Sequence, residues 1–397
     1  MNAIRDNGKL FTRDFVLVSL VTLAIFTIYF SLYVTLPVYV ESIGGSSRDI
    51  GLVIGVFMVS SILVKPLAGW GVDRYGRKDI MIAGLLIILV ATSLYRYSSS
   101  MILLLMLVML HGTGWGISTT AATTHAADIA PGHRRGEALG YFGMFSNVAM
   151  AFGPAVSVML LDGRSFATIF LSWSAISLLS LMIASSIHET LLPASKAFRT
   201  PLWASQNPGI RKSWDFSGIK VLLAPAFIMF LINISHSSIM SFLPLFALKQ
   251  GIANPGLVFT THAAGLLAIR PIAGRLSDVY GRASVIVPGI ALLAISQWIL
   301  SAAPSLEMSI LVAGLYGLGF GAIYTSLIAL MIDRANPSAR GKAMGIFTSS
   351  FDLGLGFGSI LWGLMLEFSE FAVIYAIAGF VAFLSLIFFY YLVQKEN

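Results

Sequence analysis

The chain has 397 residues, 57% of them hydrophobic and 11% charged, with a formal charge of +7 and a mean hydropathy of +0.86. Soluble domains carry about 25% charged residues, so this composition excludes an ordinary water-wrapped core and points to a surface that faces lipid. With no cysteine, disulfides, thiolate metal sites and cysteine nucleophiles are excluded as well.

A helix crosses a bilayer in about 20 apolar residues. Apolar runs bounded by charged or Gly/Pro-rich breaks fall near 15–38, 50–70, 79–96, 101–125, 138–161, 166–187, 221–247, 255–272, 283–302, 308–331, 342–366 and 371–393. The short charged segment 1–14 and the long run behind it read as a retained first helix, not a cleaved signal peptide. If 1–14 is cytoplasmic, all but four of the 25 Lys and Arg lie on or next to cytoplasmic segments, the four being Arg48, Arg96, Arg164 and Lys249. That asymmetry follows the positive-inside rule and puts both termini in the cytoplasm. The basic residues are scattered among loops and form no nucleic-acid footprint. Membrane lipid is the expected macromolecular surroundings, and the protein is expected as a multi-pass monomer of the inner or plasma membrane.

The fold class expected is all-α integral membrane, with twelve transmembrane helices in two six-helix bundles, 1–187 and 220–397. The segment 188–219, with Pro193, Pro201 and Pro208 among Lys196, Arg199, Arg211 and Lys212, suits a cytoplasmic linker. The halves repeat at one offset. Residues 65–77 read KPLAGWGVDRYGR and residues 270–282 read RPIAGRLSDVYGR, 205 positions on. The same offset relates 110–116 to 315–321, and Asp128 with Arg135-Gly136 to Asp333 with Arg340-Gly341. A parallel repeat of this kind suits alternating access, with substrate held between halves.

Gly69, Asp73, Arg74, Gly76, Arg77 and Lys78 match the GxxxDRxGR(R/K) signature between spans two and three, and the chain resembles the major facilitator superfamily. A weaker copy is Gly274, Asp278, Gly281 and Arg282. Physically, Gly69 and Gly76 permit a tight turn and close helix approach, and Asp73 can face the positive end of a helix. The resemblance implies a conformational latch in which Asp73 engages the start of span eleven. Gly140, Gly153 and Pro154 of span five resemble the antiporter motif GxxxxxxxxGxxxGPxxGG, which implies export and the twelve-helix drug/proton antiporter branch. Val108 stands where that branch carries a buried Arg.

Asp352 lies about ten residues, or about 15 Å, inside span eleven. An ionised carboxylate there costs about 2.5–3.5 kcal/mol, and a group that must be either charged with a partner or neutral without one is what a proton-coupled cycle requires. Asp352 is therefore the proton-coupling candidate; a structural carboxyl bonded to Ser349 or Ser350 is the other reading. Its counterpart at the repeat offset is Asn147. Candidates for lining the substrate cavity are Tyr29, Tyr33, His111, Trp115, Asn147, Asn233, His236, Tyr316 and Tyr324, while His262 is nearer the outer mouth. Apart from Asp352 the spans carry little charge, which suits amphipathic or weakly cationic small molecules.

No GxSxG, phosphate-loop or HExxH element occurs, so no enzyme, cofactor or metal is expected. The expected function is secondary active transport: proton-coupled efflux of small amphipathic or drug-like compounds by alternating access. An uptake carrier or facilitator for a neutral metabolite (sugar, nucleoside or metallophore) stays open, as does a non-transporting membrane sensor or scaffold.

Overall fold

Lipid offers backbone N–H and C=O groups no partner but each other, and the computed structural model of the chain is helical throughout its described residues. These are 10–131, 135–161, 165–190, 216–249, 256–302, 306–335 and 340–394; the side chains of Asn147 and of some helix-end residues lie outside the description. The helices are α1 Arg13–Ser42, α2 Ser47–Tyr75, α3 Arg77–Leu94, α4 Met101–Ile129, α5 Arg135–Leu161 and α6 Phe166–Ser185. They continue with α7 Phe216–Lys249, α8 Gly256–Tyr280, α9 Ala283–Ala302, α10 Leu306–Arg334, α11 Arg340–Met365 and α12 Phe371–Phe389. Eleven of them are long and apolar enough to span a bilayer; the other is α5, with 27 residues. Their outer faces carry exposed Leu63, Leu67, Ile102, Met106, Met159 and Phe380, the apolar surface that lipid requires.

The helix ends differ from the sequence reading in an informative way. The run near 255–272 becomes a 25-residue helix, because Pro271 lies inside α8 without ending it. A proline removes one backbone bond, and neighbouring helices tolerate that inside a membrane. Residues 69–78, expected as a loop, are two helix ends around the single residue Gly76. Most of the expected linker, 191–215, lies outside the described residues, and α7 begins at Phe216, inside the expected linker boundary.

The chain forms two compact units, described residues through Leu32 with those from Val59 to Thr190, and Tyr33–Met58 with those from Phe216 on. In the first, α3 packs on α4 and α6, and α5 on α4 and α6. In the second, α7 packs on α11 and α12, and α10 on α8 and α9. Polar side chains join helices where the hydrophobic effect cannot: Gln297 Nε2 of α9 donates to Ser238 Oγ of α7 at 2.8 Å, and Trp362 Nε1 of α11 donates to the Ile234 carbonyl at 2.8 Å.

The repeat is visible in the crossings. In the first unit α1 meets α5 at Gly153, where a Cβ would stand 2.9 Å from both Phe30 Cβ and the Thr27 carbonyl oxygen. Ser31 Oγ donates to the Gly153 carbonyl at 2.9 Å. In the second unit α7 meets α11 at the offset equivalent, Gly358, where a Cβ would lie 2.8 Å from Ile234 Cα. Gly140 is different: a Cβ there would meet nothing within 4 Å, so it does not serve the close packing expected of it. Gly153→Val is expected to destabilise the protein by about 1–3 kcal/mol through overpacking, with Gly140→Ala neutral. Thermal unfolding of the purified variants in detergent checks this, and equal midpoints would contradict the crossing.

Candidate functional site

The two signature copies sit at helix ends. Gly76 has φ +117° and Gly281 φ +89°, the left-handed region that glycine enters without strain. α3 has no side-chain cap from Gly76. Glu189 supplies one instead: its carboxylate accepts from the Arg77 N–H at 3.1 Å and the Lys78 N–H at 3.0 Å, where the helix dipole favours negative charge. The Arg77 side chain is buried; Nε donates to Asp128 Oδ2 at 2.6 Å and Nη1 to the Val72 carbonyl at 3.1 Å. Nη2 lies 3.7 Å from Asp73. Lys78 Nζ donates to the Ser185 carbonyl at 2.6 Å, and the Arg74 guanidinium lies over the rings of Trp70 and Tyr75. His188 approaches Asp14 at 3.1 Å, so residues 188–190 bind the ends of α1 and α3 directly.

The second copy repeats the core of this arrangement. Arg282 Nε donates to Asp333 Oδ2 at 2.8 Å, and Nη1 donates to Ser277 Oγ at 3.0 Å and to Asp278. The hydrogen bond to Asp333, and then that to Asp278, hold the Arg282 pKa above its ordinary value. In both copies the arginine after the left-handed glycine bonds an acid 51 positions later. Gly69 and Gly274 fall outside this logic. Both lie within helices; a Cβ at Gly69 meets nothing within 4 Å, and one at Gly274 meets only Thr325 Cγ2 at 4.0 Å. The turn and close approach expected at Gly69 therefore belong to Gly76 alone.

Of the cavity candidates in the first unit, Tyr29 of α1 stacks on Trp115 of α4 at 4.3 Å between ring centroids, and Phe26 meets the same indole at 4.5 Å. His111 is buried, with Tyr95 Oη 3.2 Å from its Nδ1, and Tyr95 in turn packs on Phe170 and Trp173. That makes His111 part of the packed α3–α4–α6 core, in place of the lining position expected. Tyr33 is buried in the portion of α1 that belongs to the second unit. The side chain of Asn147 lies outside the described residues.

The second unit brings its candidates together along one face of α10. Tyr316, Phe320 and Tyr324 are four residues apart and so share a face. His236 of α7 stacks on Phe320 at 3.9 Å and lies 5.6 Å from both Tyr316 and His262 of α8. Phe320 is 6.2 Å from Tyr324 and 6.4 Å from Phe351 of α11. Tyr324 in turn carries the guanidinium of Arg270 at 5.3 Å from its ring centroid, and its hydroxyl is within electrostatic reach of both Arg270 and Asp352. Asn233 Nδ2 is used by the Met229 carbonyl at 2.8 Å, while its buried Oδ1 has no hydrogen bond among the described residues.

Arg270 is a cation with a buried Nε in a spanning helix that the sequence reading did not single out. It was counted with the cytoplasmic charge, yet it lies ten residues from the Tyr280 end of α8, about 15 Å along the helix axis. Tyr324 is ten residues from the Arg334 end of α10 and Asp352 twelve from the Arg340 end of α11. The Arg282–Asp333 bond ties the α8–α9 and α10 ends together, so Arg270 and Tyr324 sit at one depth. The signal was present: Lys65, the repeat counterpart of Arg270, is likewise a cation before a proline, ten residues from the end of α2.

A bundle of spanning helices with duplicated signature corners has a counterpart among known proteins. The sequence profile of the Major Facilitator Superfamily matches residues 18–255 and 226–397. The chain belongs to this superfamily. It is 23% identical to the staphylopine export protein of Staphylococcus aureus (strain Mu50) over 384 residues, 93% of each chain. It is 26% identical to the quinolone resistance protein NorA of the same strain over 142 residues, 33% of this chain and 37% of that one. The fold superposes on the crystal structure of a D-xylose–proton symporter with a TM-score of 0.78 at 16% identity, covering 94% of this chain and 96% of that one. As a superfamily member it is a multi-pass membrane transporter and not an enzyme, resembling the drug-antiporter branch through its exporter relatives.

Within the superfamily signature, the structure separates a structural arginine from a surface one. Arg77→Gln is expected to cost about 1.5–3 kcal/mol, because it removes charged hydrogen bonds from a buried site, while Arg74→Gln stays within about 0.5 kcal/mol. Denaturation of the two variants in parallel decides it, and equal losses would remove the distinction.

Proposed function

We propose that the protein is a proton-coupled exporter of small amphipathic compounds, working by alternating access of two halves, 1–187 and 220–397, joined by the linker 188–219. It acts as a monomer in the inner or plasma membrane with both termini in the cytoplasm. The observation that carries this reading is Asp352, a carboxyl twelve residues into α11 whose charge reaches Tyr324 together with that of Arg270. Ionised, Asp352 acts on the same tyrosine as the Arg270 guanidinium; protonated, it withdraws that negative charge and leaves the guanidinium to another anion. A proton on Asp352 thereby changes which charge the site can hold, and the cycle needs no other chemistry.

The direction of transport is supported by the export function named for the staphylopine relative and by the Gly153-Pro154 pair in α5. Candidate substrate contacts are Tyr29 and Trp115 within one unit, and within the other Tyr316 and Tyr324, with Tyr33, Asn233 and His236. The latch is Asp73 with the helix ends around Gly76, and Asp278 with those around Gly281.

A susceptibility panel in cells lacking other pumps supplies a transported compound, and proteoliposomes with an imposed pH gradient then test coupling. Asp352→Asn is expected to abolish gradient-driven accumulation while leaving gradient-independent exchange of the same compound. Undiminished accumulation by Asp352→Asn would overturn proton coupling through this residue. Asp73→Asn is expected to slow turnover several-fold at unchanged substrate affinity, and binding lost in step with transport would remove the latch.

A further inference from the structure

Arg270 cannot shed its proton under any ordinary condition, so its charge must be balanced in place, far from either end of α8. Its guanidinium offers five N–H donors in a planar fork. What the described residues give it is the face of Tyr324 at 5.3 Å and, through the same tyrosine, the field of Asp352. The Nε is buried and makes no hydrogen bond among the described residues. A ring face balances part of a charge but accepts none of the fork's hydrogen bonds. Donor capacity at this depth is therefore larger than the protein uses.

We infer that Arg270, assisted by the Tyr324 hydroxyl, binds the carboxylate of an amphipathic organic anion, and that such monoanions are the preferred substrates. A carboxylate matches the guanidinium fork with two parallel hydrogen bonds, and the surrounding Phe320, Phe347 and Phe351 rings suit the apolar remainder of the molecule. Asp352 is the internal anion with which the ligand competes. One guanidinium suits one carboxylate, which sets a monoanion apart from a dicarboxylate or a phosphate ester. The weakly cationic class was the expectation for spans carrying little charge; a guanidinium at this depth favours an anion in its place.

The inference rests on the transport role proposed above, and equilibrium binding without a gradient keeps the two apart. The probes are N-dansylglycine, its methyl ester and dansylcadaverine, one fluorophore carrying an anion, no charge and a cation. Titrated against the full chain in phosphatidylcholine nanodiscs, the anion is expected to bind about tenfold more tightly than the ester, the gain of a charged bidentate contact over a neutral one. Arg270→Gln is expected to erase that preference, Arg270→Lys to keep part of it, and Asp352→Asn to strengthen it. If Arg270→Gln does not fold, the three probes on the unaltered chain and on Arg270→Lys carry the test. Equal binding of the three probes, preference for the cation, or no saturable binding of the anion overturns the inference. Loss of the anion preference in phosphatidylglycerol nanodiscs would assign Arg270 to lipid phosphate and overturn it too. Failure here leaves proton coupling through Asp352 standing, and failure of Asp352→Asn to affect gradient-driven transport leaves the anion site standing.

Discussion

A charge inside a bilayer has to carry its counter-charge with it, since neither lipid nor a fixed helix backbone can supply one on demand. The second unit meets this constraint around Tyr324, which lies under the Arg270 guanidinium and within the field of Asp352, the three residues on three helices. Everything around them serves to hold that arrangement. Three spanning helices fix the register, and the Arg282–Asp333 bond locks the ends of α8, α9 and α10 to a common level. The rings along α10 exclude polar alternatives. A slip of one helical turn, about 5.4 Å, would separate the cation from its aromatic and acidic surroundings and leave each to be balanced alone.

The duplicated framework and the unduplicated chemistry divide the molecule's tasks. What the two units share is mechanical: left-handed glycines at 76 and 281, arginine–aspartate bonds from 77 and 282, and tight crossings at 153 and 358. What they do not share is electrostatic. The positions equivalent to Tyr324 and Asp352 are Thr119 and Asn147, and only the cation persists, as Lys65. Glu189 is another asymmetry, closing the Gly76 corner from the segment that leaves α6. The end of the first bundle is thus bonded to its own signature.

Most of the fold could be read from the chain because lipid reduces the choices to one: apolar runs long enough to span, separated by charge. The offset of 205 was equally plain, since a repeat needs no structural knowledge to detect. Three features escaped. Gly76 as a one-residue corner was hidden because the signature looks polar enough for a loop, although α2 continues through Asp73 and Arg74 to Tyr75. Glu189 was hidden because its partners are backbone groups 111 and 112 residues earlier, and no spacing rule reaches that far. Arg270 was hidden by Pro271, which reads as a helix end in water but lies inside α8 here. His111 failed in the other direction: a histidine deep in a span looks functional, yet it is buried with Tyr95 close enough for its hydrogen bond, and Tyr95 itself packs on Phe170 and Trp173.

A column of rings lines the face of α10 in the second unit. His236, Phe320 and Tyr324 form a continuous stack that runs from the His262–Tyr316 pair toward Arg270. Arg270 of α8 lies at the Tyr324 end of that stack, and Asp352 of α11 acts on the same tyrosine. A change in the charge held there alters the attraction between two helices that flank the stack, not the stack itself.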